Sequence, residues 1–423
     1  MAMQRFKIKG GNKLKGLVRI TGSKNAALPI IAASILSDQK ITIENVPALM
    51  DVYTMVELVK YLGAKVSFNN NVLTIHTPKI KKCKAPYDIV RKMRASYYVL
   101  GSLIGREKKA KVSLPGGCAI GPRPIDLHIK GLESLGAKID IADGYINAST
   151  TRLTGRDINI GGPKGTSVGA TINTMLAAVR AQGITKITPA ACEPEVVDVA
   201  DFLNTIGCDI KGQGTPTITI NGQERCSGAR YSIIPDRIEA GTFAVAAAIT
   251  RSKITVIDCQ PAHLQSVLEL LAAIGVKIKV GQKRFIIDAR CRLKPSHICV
   301  APYPGFPTDM QAQFMALFAT IPGTSMIKET IFENRFMQAV ELMRMGAKIA
   351  IQGDTAIIEG VKKLSGAATM ASDLRASASL VLAGLVAKGT TVVRRIYHLD
   401  RGYEKFENKL RSLGAQITRQ NEN

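Results

Sequence analysis

The sequence predicts an α/β (α+β) protein of two domains, built from six copies of one strand, helix, strand, helix, hairpin unit, three to a domain. Three observations carry that expectation. One phrase recurs six times: YLGAKVSF from Tyr61, SLGAKIDI from Ser134, TIGCDIKG from Thr205, AIGVKIKV from Ala273, RMGAKIAI from Arg344 and SLGAQITR from Ser412. Its glycines, Gly63, Gly136, Gly207, Gly275, Gly346 and Gly414, lie 73, 71, 68, 71 and 68 residues apart, and six copies at so constant a spacing do not arise by chance. With 423 residues, 46% of them hydrophobic and 21% charged, the chain can build two or three cores and is too apolar for disorder.

Each phrase closes an amphipathic run, such as Val56, Leu58, Val59 and Leu62, or Val267, Leu268, Leu271 and Ile274. The glycine then stands where a helix C-cap favours positive φ. Turn residues (Asn69 to Asn71, Asp143-Gly144, Gly281-Gln282, Gly353-Asp354) and a second β-branched run follow, which is a hairpin pattern. Upstream lies a second helix rich in small residues: 25–36, 93–104, 167–181, 238–249, 309–320 and 374–387. The sixth copy stops at Ile417 and lacks the second hairpin strand, while the chain opens on an orphan strand, Phe6 to Lys9. That strand is expected to complete the last copy. The domains are then 22–233, and 1–21 with 234–423; a solenoid of six stacked units is the structural alternative.

Composition narrows the function. The apolar stretches Ala26 to Leu36 and Ser379 to Ala387 fall short of the ~20 residues that cross a bilayer, and lysines interrupt the N-terminal segment where a secretion signal needs an apolar core. A cytoplasmic protein without membrane insertion is expected. Its eight cysteines show no C-x-x-C spacing and its five histidines are scattered, so reduced thiols, mostly buried, and no metal are expected. The net charge of +24 favours anionic partners. With no Trp and 5% aromatics, small phosphorylated substrates fit better than nucleic acid. Walker, G-x-G-x-x-G and H-E-x-x-H motifs are absent, which removes the usual support for nucleotide hydrolysis, dinucleotide redox chemistry and zinc proteolysis.

What remains is a set of Lys, Arg, Asp and Cys residues at helix starts and loops. Gly22-Ser23-Lys24-Asn25 opens a helix where N–H groups and an ammonium can meet a phosphate; an ordinary helix start with a solvated lysine is the plainer account. In Leu114-Pro-Gly-Gly-Cys118-Ala-Ile-Gly-Pro-Arg123-Pro-Ile-Asp126-Leu-His128, the glycines place Cys118 on a loop near Arg123, where thiolate character is favoured; a turn with a passively placed cysteine is the equal alternative. Asp309 and Asp373 each begin a helix, and N-capping accounts for both without any function; a site role stands equally for Asp373, and the Pro-rich loop before Asp309 favours a site there. Arg94 and Arg375 occupy matching helix starts against the dipole, which suggests that an anion is held there.

On these residues, and on the phrases GSKNAALP, APYDIVRKMRAS, SLPGGCAIGPRPIDLH, SVGATIN, EPEVVD, PDRIEAGTF, FPTDMQAQF, ETIFENRFM, SDLRASASLVLAG and IYHLDRGYE, the chain resembles, over essentially its whole length, the UDP-N-acetylglucosamine 1-carboxyvinyltransferases of the EPSP synthase superfamily. The resemblance implies a two-domain inside-out α/β barrel. It implies an enzyme of peptidoglycan synthesis that moves the enolpyruvyl group of phosphoenolpyruvate to the 3-hydroxyl of UDP-N-acetylglucosamine without a cofactor. By the same resemblance Cys118 protonates C3 of phosphoenolpyruvate and Asp309 is the base on the 3-hydroxyl. Lys24, Arg123 and Arg401 match cations around phosphoenolpyruvate, and Asn25, Arg94, Asp126, Asp373 and Arg375 match residues around the two substrates. The uridine is expected on Arg123, Pro124, Ile125, Asp126 and Leu127, and on the segment from Pro163 to Gly169 with Lys164, Ser167, Val168 and Gly169; Ile331 is expected against the nucleotide sugar. Ala48 and Met50 stand where many relatives carry Lys. The alternatives are transfer to shikimate 3-phosphate, which does not need the cysteine loop, and a non-catalytic nucleotide-sugar binder, which predicts a decayed site. The oligomeric state is left open.

Overall fold

The computed structural model describes residues 4–114, 125–163 and 165–422. The described chain divides into two compact units, one drawn from residues 22–234 and the other from 4–21 and 235–422. In the first unit three helices lie at the centre: α1 (Lys24–Ala33), α2 (Tyr98–Glu107) and α3 (Val168–Ala178), with α2 packed on both others. The second unit centres on α4 (Arg237–Ile249), α5 (Gln311–Phe318) and α6 (Leu374–Gly384), each touching the other two. Every residue of α4 and α5 is buried. A helix apolar on all sides is stable only in an interior, and runs such as FAVAAAI and LRASASLVLAG have no wet face to offer.

Among the described residues six four-stranded sheets surround these helices, three to a unit, all with one order. An edge strand runs parallel to the strand that follows the inner helix, which pairs antiparallel with a hairpin. Lys253–Ile257, for example, has Lys15–Arg19 on one side and Arg284–Asp288 with Lys277–Val280 on the other. Its burial alternates, with Ile254 and Val256 inward, so each sheet buries one face against the helices and wets the other. Each unit is thus an inside-out barrel, helices within and sheets without.

The recurring glycines end the outer helices with φ between 88° and 123°. A fixed register follows each of them. The N–H of Lys15, Lys81, Thr154, Ser227, Lys294 and Ser365 donates to the carbonyl of the residue before the cap glycine, at 2.8–3.0 Å in all six copies. The strand Gln4–Lys9 lies between Thr390–Arg394 and Gln416–Asn421, antiparallel to both, and completes the last sheet. That last strand runs to Asn421 because Gln4 pairs with it, four residues beyond the end at Ile417 read from the sequence.

Other details also depart from the expectations. The predicted helix at 25–36 closes in a 3-10 turn, Ser34–Leu36, and those at 93–104 and 309–320 open in the turns Arg94–Tyr97 and Thr308–Met310. Of the seven described cysteines, Cys208, Cys226 and Cys259 are buried, whereas Cys83, Cys192 and Cys291 are half-buried and Cys299 is exposed. Cysteine is therefore less of a core residue here than expected; Cys299, for one, ends a strand on an exposed position. Among the described residues no helix is long and apolar enough to cross a membrane, and no group of three or more metal-ligating side chains gathers.

The inner helices approach so closely that backbone meets backbone. A Cβ on Gly101 of α2 would lie 2.3 Å from the Asn173 carbonyl oxygen of α3, and the Asn173 side chain accepts from Gly101 N–H at 2.7 Å. Alanine is the better helix former by about 1 kcal/mol, so propensity alone predicts that Gly101→Ala stabilises. Overpacking wins, because neither backbone can move without unseating the other: we expect a net loss of about 3 kcal/mol in urea unfolding. An unchanged or raised midpoint would show that the helices are not held at this distance.

Candidate active site

Within each unit, several of the described candidate residues lie at the N-terminal ends of the inner helices. In the first unit, Lys24 and Asn25 open α1, Arg94 begins the turn before α2, and Ser167 caps α3 by accepting from Ala170 N–H, with Val168 and Gly169 in the first turn. Ile125, Asp126 and Leu127 begin the outer helix Asp126–Ser134. Gly162 and Gly165 exchange backbone hydrogen bonds across the turn at Pro163, and a Cβ on Gly162 would lie 3.0 Å from the Leu127 side chain. The two segments expected around the uridine are thus neighbours. Cys118, Arg123, Pro124 and Lys164 lie outside the described residues.

Lys24 is not the solvated lysine of the plainer sequence account. Its ammonium is largely buried and sits 3.3 Å from the Asp51 carboxylate, itself 5% exposed. Asp51 opens the helix Met50–Leu62, so the segment holding Ala48 and Met50 supplies Lys24 with a counter-ion. The Arg94 guanidinium lies over the Tyr97 ring, 5.3 Å from its centroid. Beneath these groups His128 is buried. Asn173 donates to its Nδ1 at 3.1 Å, which leaves the ring proton on Nε2, and Gly169 has no Cβ where one would stand 2.9 Å from that nitrogen. Burial, with Arg94 adding repulsion, pulls the imidazole pKa down to about 4, so it is neutral at pH 7.

In the second unit Asp309 is the focus. It does not cap a helix; it lies within the turn Thr308–Met310, and its two carboxylate oxygens accept from Arg335 at 2.6 Å and from Arg375 at 2.7 Å. Both guanidiniums are buried. Burial raises the acid's pKa, yet Arg375 and Arg335 outweigh it and hold the carboxyl well below the usual carboxylate range. The anion facing Arg375 is therefore a protein carboxylate, which resolves the puzzle of an arginine at a helix start. Asp373 is a true N-cap: its carboxylate accepts from the N–H groups of Arg375 and Ala376 at 2.9 and 3.0 Å. It aims the first turn of α6, and with it Arg375, at Asp309.

A polar layer supports this group. The Arg375 guanidinium lies over the Tyr403 ring, 5.5 Å from its centroid, and the Tyr403 hydroxyl pairs with Thr242 at 2.8 Å. The Gln313 amide nitrogen is within hydrogen-bond distance of Thr242, Tyr403 and the Asp309 backbone carbonyl. Glu329 accepts from the Thr308 hydroxyl and from the N–H groups of Ile331 and Phe332, joining the Ile331 segment to the Asp309 turn. Arg401 ends the turn Ile396–Arg401, where its neighbour Asp400 is gripped by both terminal nitrogens of Arg419 at 2.7 and 2.8 Å. Sequence reasoning missed Asp51, Glu329 and Arg335. Arg335 stood within a quoted phrase, but its partner is 26 residues away and no local pattern names it.

Residues 8–410 match the family described as EPSP synthase (3-phosphoshikimate 1-carboxyvinyltransferase). A UDP-N-acetylglucosamine 1-carboxyvinyltransferase 2 of Carboxydothermus hydrogenoformans is 52% identical over 419 residues, 99% of each chain, and a UDP-N-acetylglucosamine 1-carboxyvinyltransferase of Escherichia coli O1:K1 is 53% identical over the same length and share. Among solved structures the enolpyruvyl transferase NikO of Streptomyces tendae superposes with a TM-score of 0.89 at 26% identity, each chain covered completely. An EPSP synthase of Acinetobacter baumannii, at 0.76 and 20% identity over 99% of this chain and all of that one, shares the fold.

His128 generates a pH dependence whose sign is fixed by its lowered pKa. The unfolded chain, with an ordinary imidazole near 6.5, binds a proton that the folded protein refuses down to about pH 4. Stability should therefore fall as the pH drops from about 6.5 to 4, by up to about 3 kcal/mol from this group alone. Urea unfolding of the wild type and of His128→Gln at pH 7 and pH 4.5 should show a smaller drop in the variant; equal drops would mean that the ring is protonated in the fold.

Proposed function

The chain belongs to the EPSP synthase family, and from that premise we propose how its residues divide the work. The protein transfers the enolpyruvyl group of phosphoenolpyruvate to the 3-hydroxyl of UDP-N-acetylglucosamine with release of phosphate, the first committed step of peptidoglycan synthesis. Cys118 delivers the proton to C3, which turns C2 into an oxocarbenium-like centre. The sugar 3-hydroxyl adds there and gives its proton to Asp309. Loss of the C3 proton and of phosphate then restores the double bond. Lys24, Arg123 and Arg401 neutralise the phosphate and carboxylate of phosphoenolpyruvate, where charge builds up in the transition state. Asn25, Arg94, Asp126, Asp373 and Arg375 hold the substrates, the 123–127 and 163–169 segments hold the uridine, and Ile331 meets the sugar. Both substrates are soluble phosphorylated metabolites, and the cytoplasm is the setting this chemistry fits.

One observation carries the proton step: Asp309 is an anion pinned between two buried guanidiniums. A carboxylate of such low basicity cannot generate a free alkoxide, so it accepts the proton only as the carbon–oxygen bond forms and the hydroxyl becomes acidic. Arg335 and Arg375 keep the acceptor ionised at neutral pH. Transfer to shikimate 3-phosphate and a purely binding role are not favoured. The full-length relatives carry the name of the nucleotide-sugar transferase, and Lys24, Cys118, Asp309 and Arg401 are all retained.

The assignment is tested by phosphate release from phosphoenolpyruvate. Release with UDP-N-acetylglucosamine and none with shikimate 3-phosphate is expected; the reverse pattern would overturn it. For the acid, Cys118→Ala should lower kcat by about 10²- to 10⁴-fold with nucleotide-sugar affinity kept, while Cys118→Asp, which still carries a transferable proton, should retain activity. Equal loss in both variants, with folding intact by circular dichroism, would remove Cys118 from that role.

A further inference from the structure

The sixfold register singles out one pair of thiols. In each copy the residue after the cap glycine and the residue before the next edge segment occupy equivalent buried positions, fixed by the backbone hydrogen bond described above. Five copies fill them with Ala64 and Ile80, Ala137 and Leu153, Val276 and Leu293, Ala347 and Leu364, and Ala415 and Leu14. The third copy alone has Cys208 and Cys226, with sulfurs 3.8 Å apart. The five apolar pairs are internal controls. They show that an Ala or Val beside a Leu or Ile satisfies this packing, so the fold does not require a sulfur at either place.

We propose that Cys208 and Cys226 are a redox-responsive pair that closes to a disulfide under a two-electron oxidant such as hydrogen peroxide. The Cys226 sulfur attacks the peroxide, the O–O bond breaks, and a sulfenic acid forms with loss of water. The Cys208 thiol then attacks that sulfur, the S–O bond breaks, and a second water leaves. Two thiols and one peroxide thus become one disulfide and two waters. The surroundings select Cys226 as the first nucleophile: a hydrogen bond from Cys208 and the guanidiniums of Arg180 and Arg106 favour its thiolate over burial, while Cys208 is pushed the other way. Small size suits peroxide to a site where both residues are under a tenth exposed. A thiol pair of this kind in a chain without a disulfide framework fits redox sensing better than structural stapling.

The bond would tie the cap of the helix Pro194–Thr205 to the segment leading into Ala229–Ser232, closing a loop around the hairpin Asp209–Lys211 and Ile218–Asn221. The test is a peroxide titration of the folded full chain, read by peptide mapping under non-reducing conditions and by thermal unfolding. A peptide linking Cys208 to Cys226, lighter by two hydrogens and lost on adding dithiothreitol, is expected, together with a melting temperature raised by about 4–10 °C. The double variant Cys208→Ala, Cys226→Leu copies the other repeats; it should keep unoxidised turnover and show neither effect. The proposal fails if peroxide leaves both thiols alkylatable, if either stops at sulfinic acid, or if the crosslink forms elsewhere and the double variant gains the same melting shift.

Discussion

Everything in this protein follows from helices that have no wet side. An inner helix packed against other helices and a sheet carries mostly small or apolar residues along its length, and most of the polar side chains it does carry find partners inside the protein. The Ser102 hydroxyl donates to the Ala32 carbonyl of α1, Asn173 joins α3 to Gly101 of α2, and Gln313 and Thr242 meet Tyr403. Charge is excluded from the shafts and displaced to the ends. There Lys24, Arg94, Asp309 and Arg375 stand, so the rule that builds the core also fixes where the charged groups lie.

At those ends burial and pairing compete, and the outcome differs from group to group. His128 meets a hydrogen-bond donor and no nearby carboxylate strong enough to charge it, so desolvation wins and the ring is neutral. Asp309 is only partly buried and faces two guanidiniums at hydrogen-bond distance, and there attraction wins. The first unit therefore offers neutral imidazole and cations, and the second a fixed anion flanked by cations.

The repeat architecture was legible because its signals are local. A helix that ends on glycine, followed by a strand and turn residues, is written in consecutive residues, and six copies made the pattern self-checking. The orphan strand at Phe6 to Lys9 was legible by bookkeeping, since one copy lacked a strand and the chain held one too many. The inner helices were placed correctly in number and order, but their 3-10 ends were not, because those turns are set by packing and not by propensity. Least visible were the partners of the charged residues. Nothing near Asp309 announces Arg335 or Arg375, and the latter is 66 positions away. The family resemblance supplied Asp309 as a base, whereas the structure shows why it stays ionised.

The strand Gln4–Lys9 fills an interior place in the sheet whose other members come from the last part of the chain, and it pairs Gln4 with Asn421. During synthesis this segment emerges before any other strand of its unit and must wait, unpaired, until some 400 residues have followed it. The unit drawn from residues 22–234 has no such dependence and can assemble while the ribosome is still extending the rest. Order of completion is thereby written into the connectivity, and a chain that stops after the first unit carries Gln4–Lys9 as an unpaired strand free to pair with other chains.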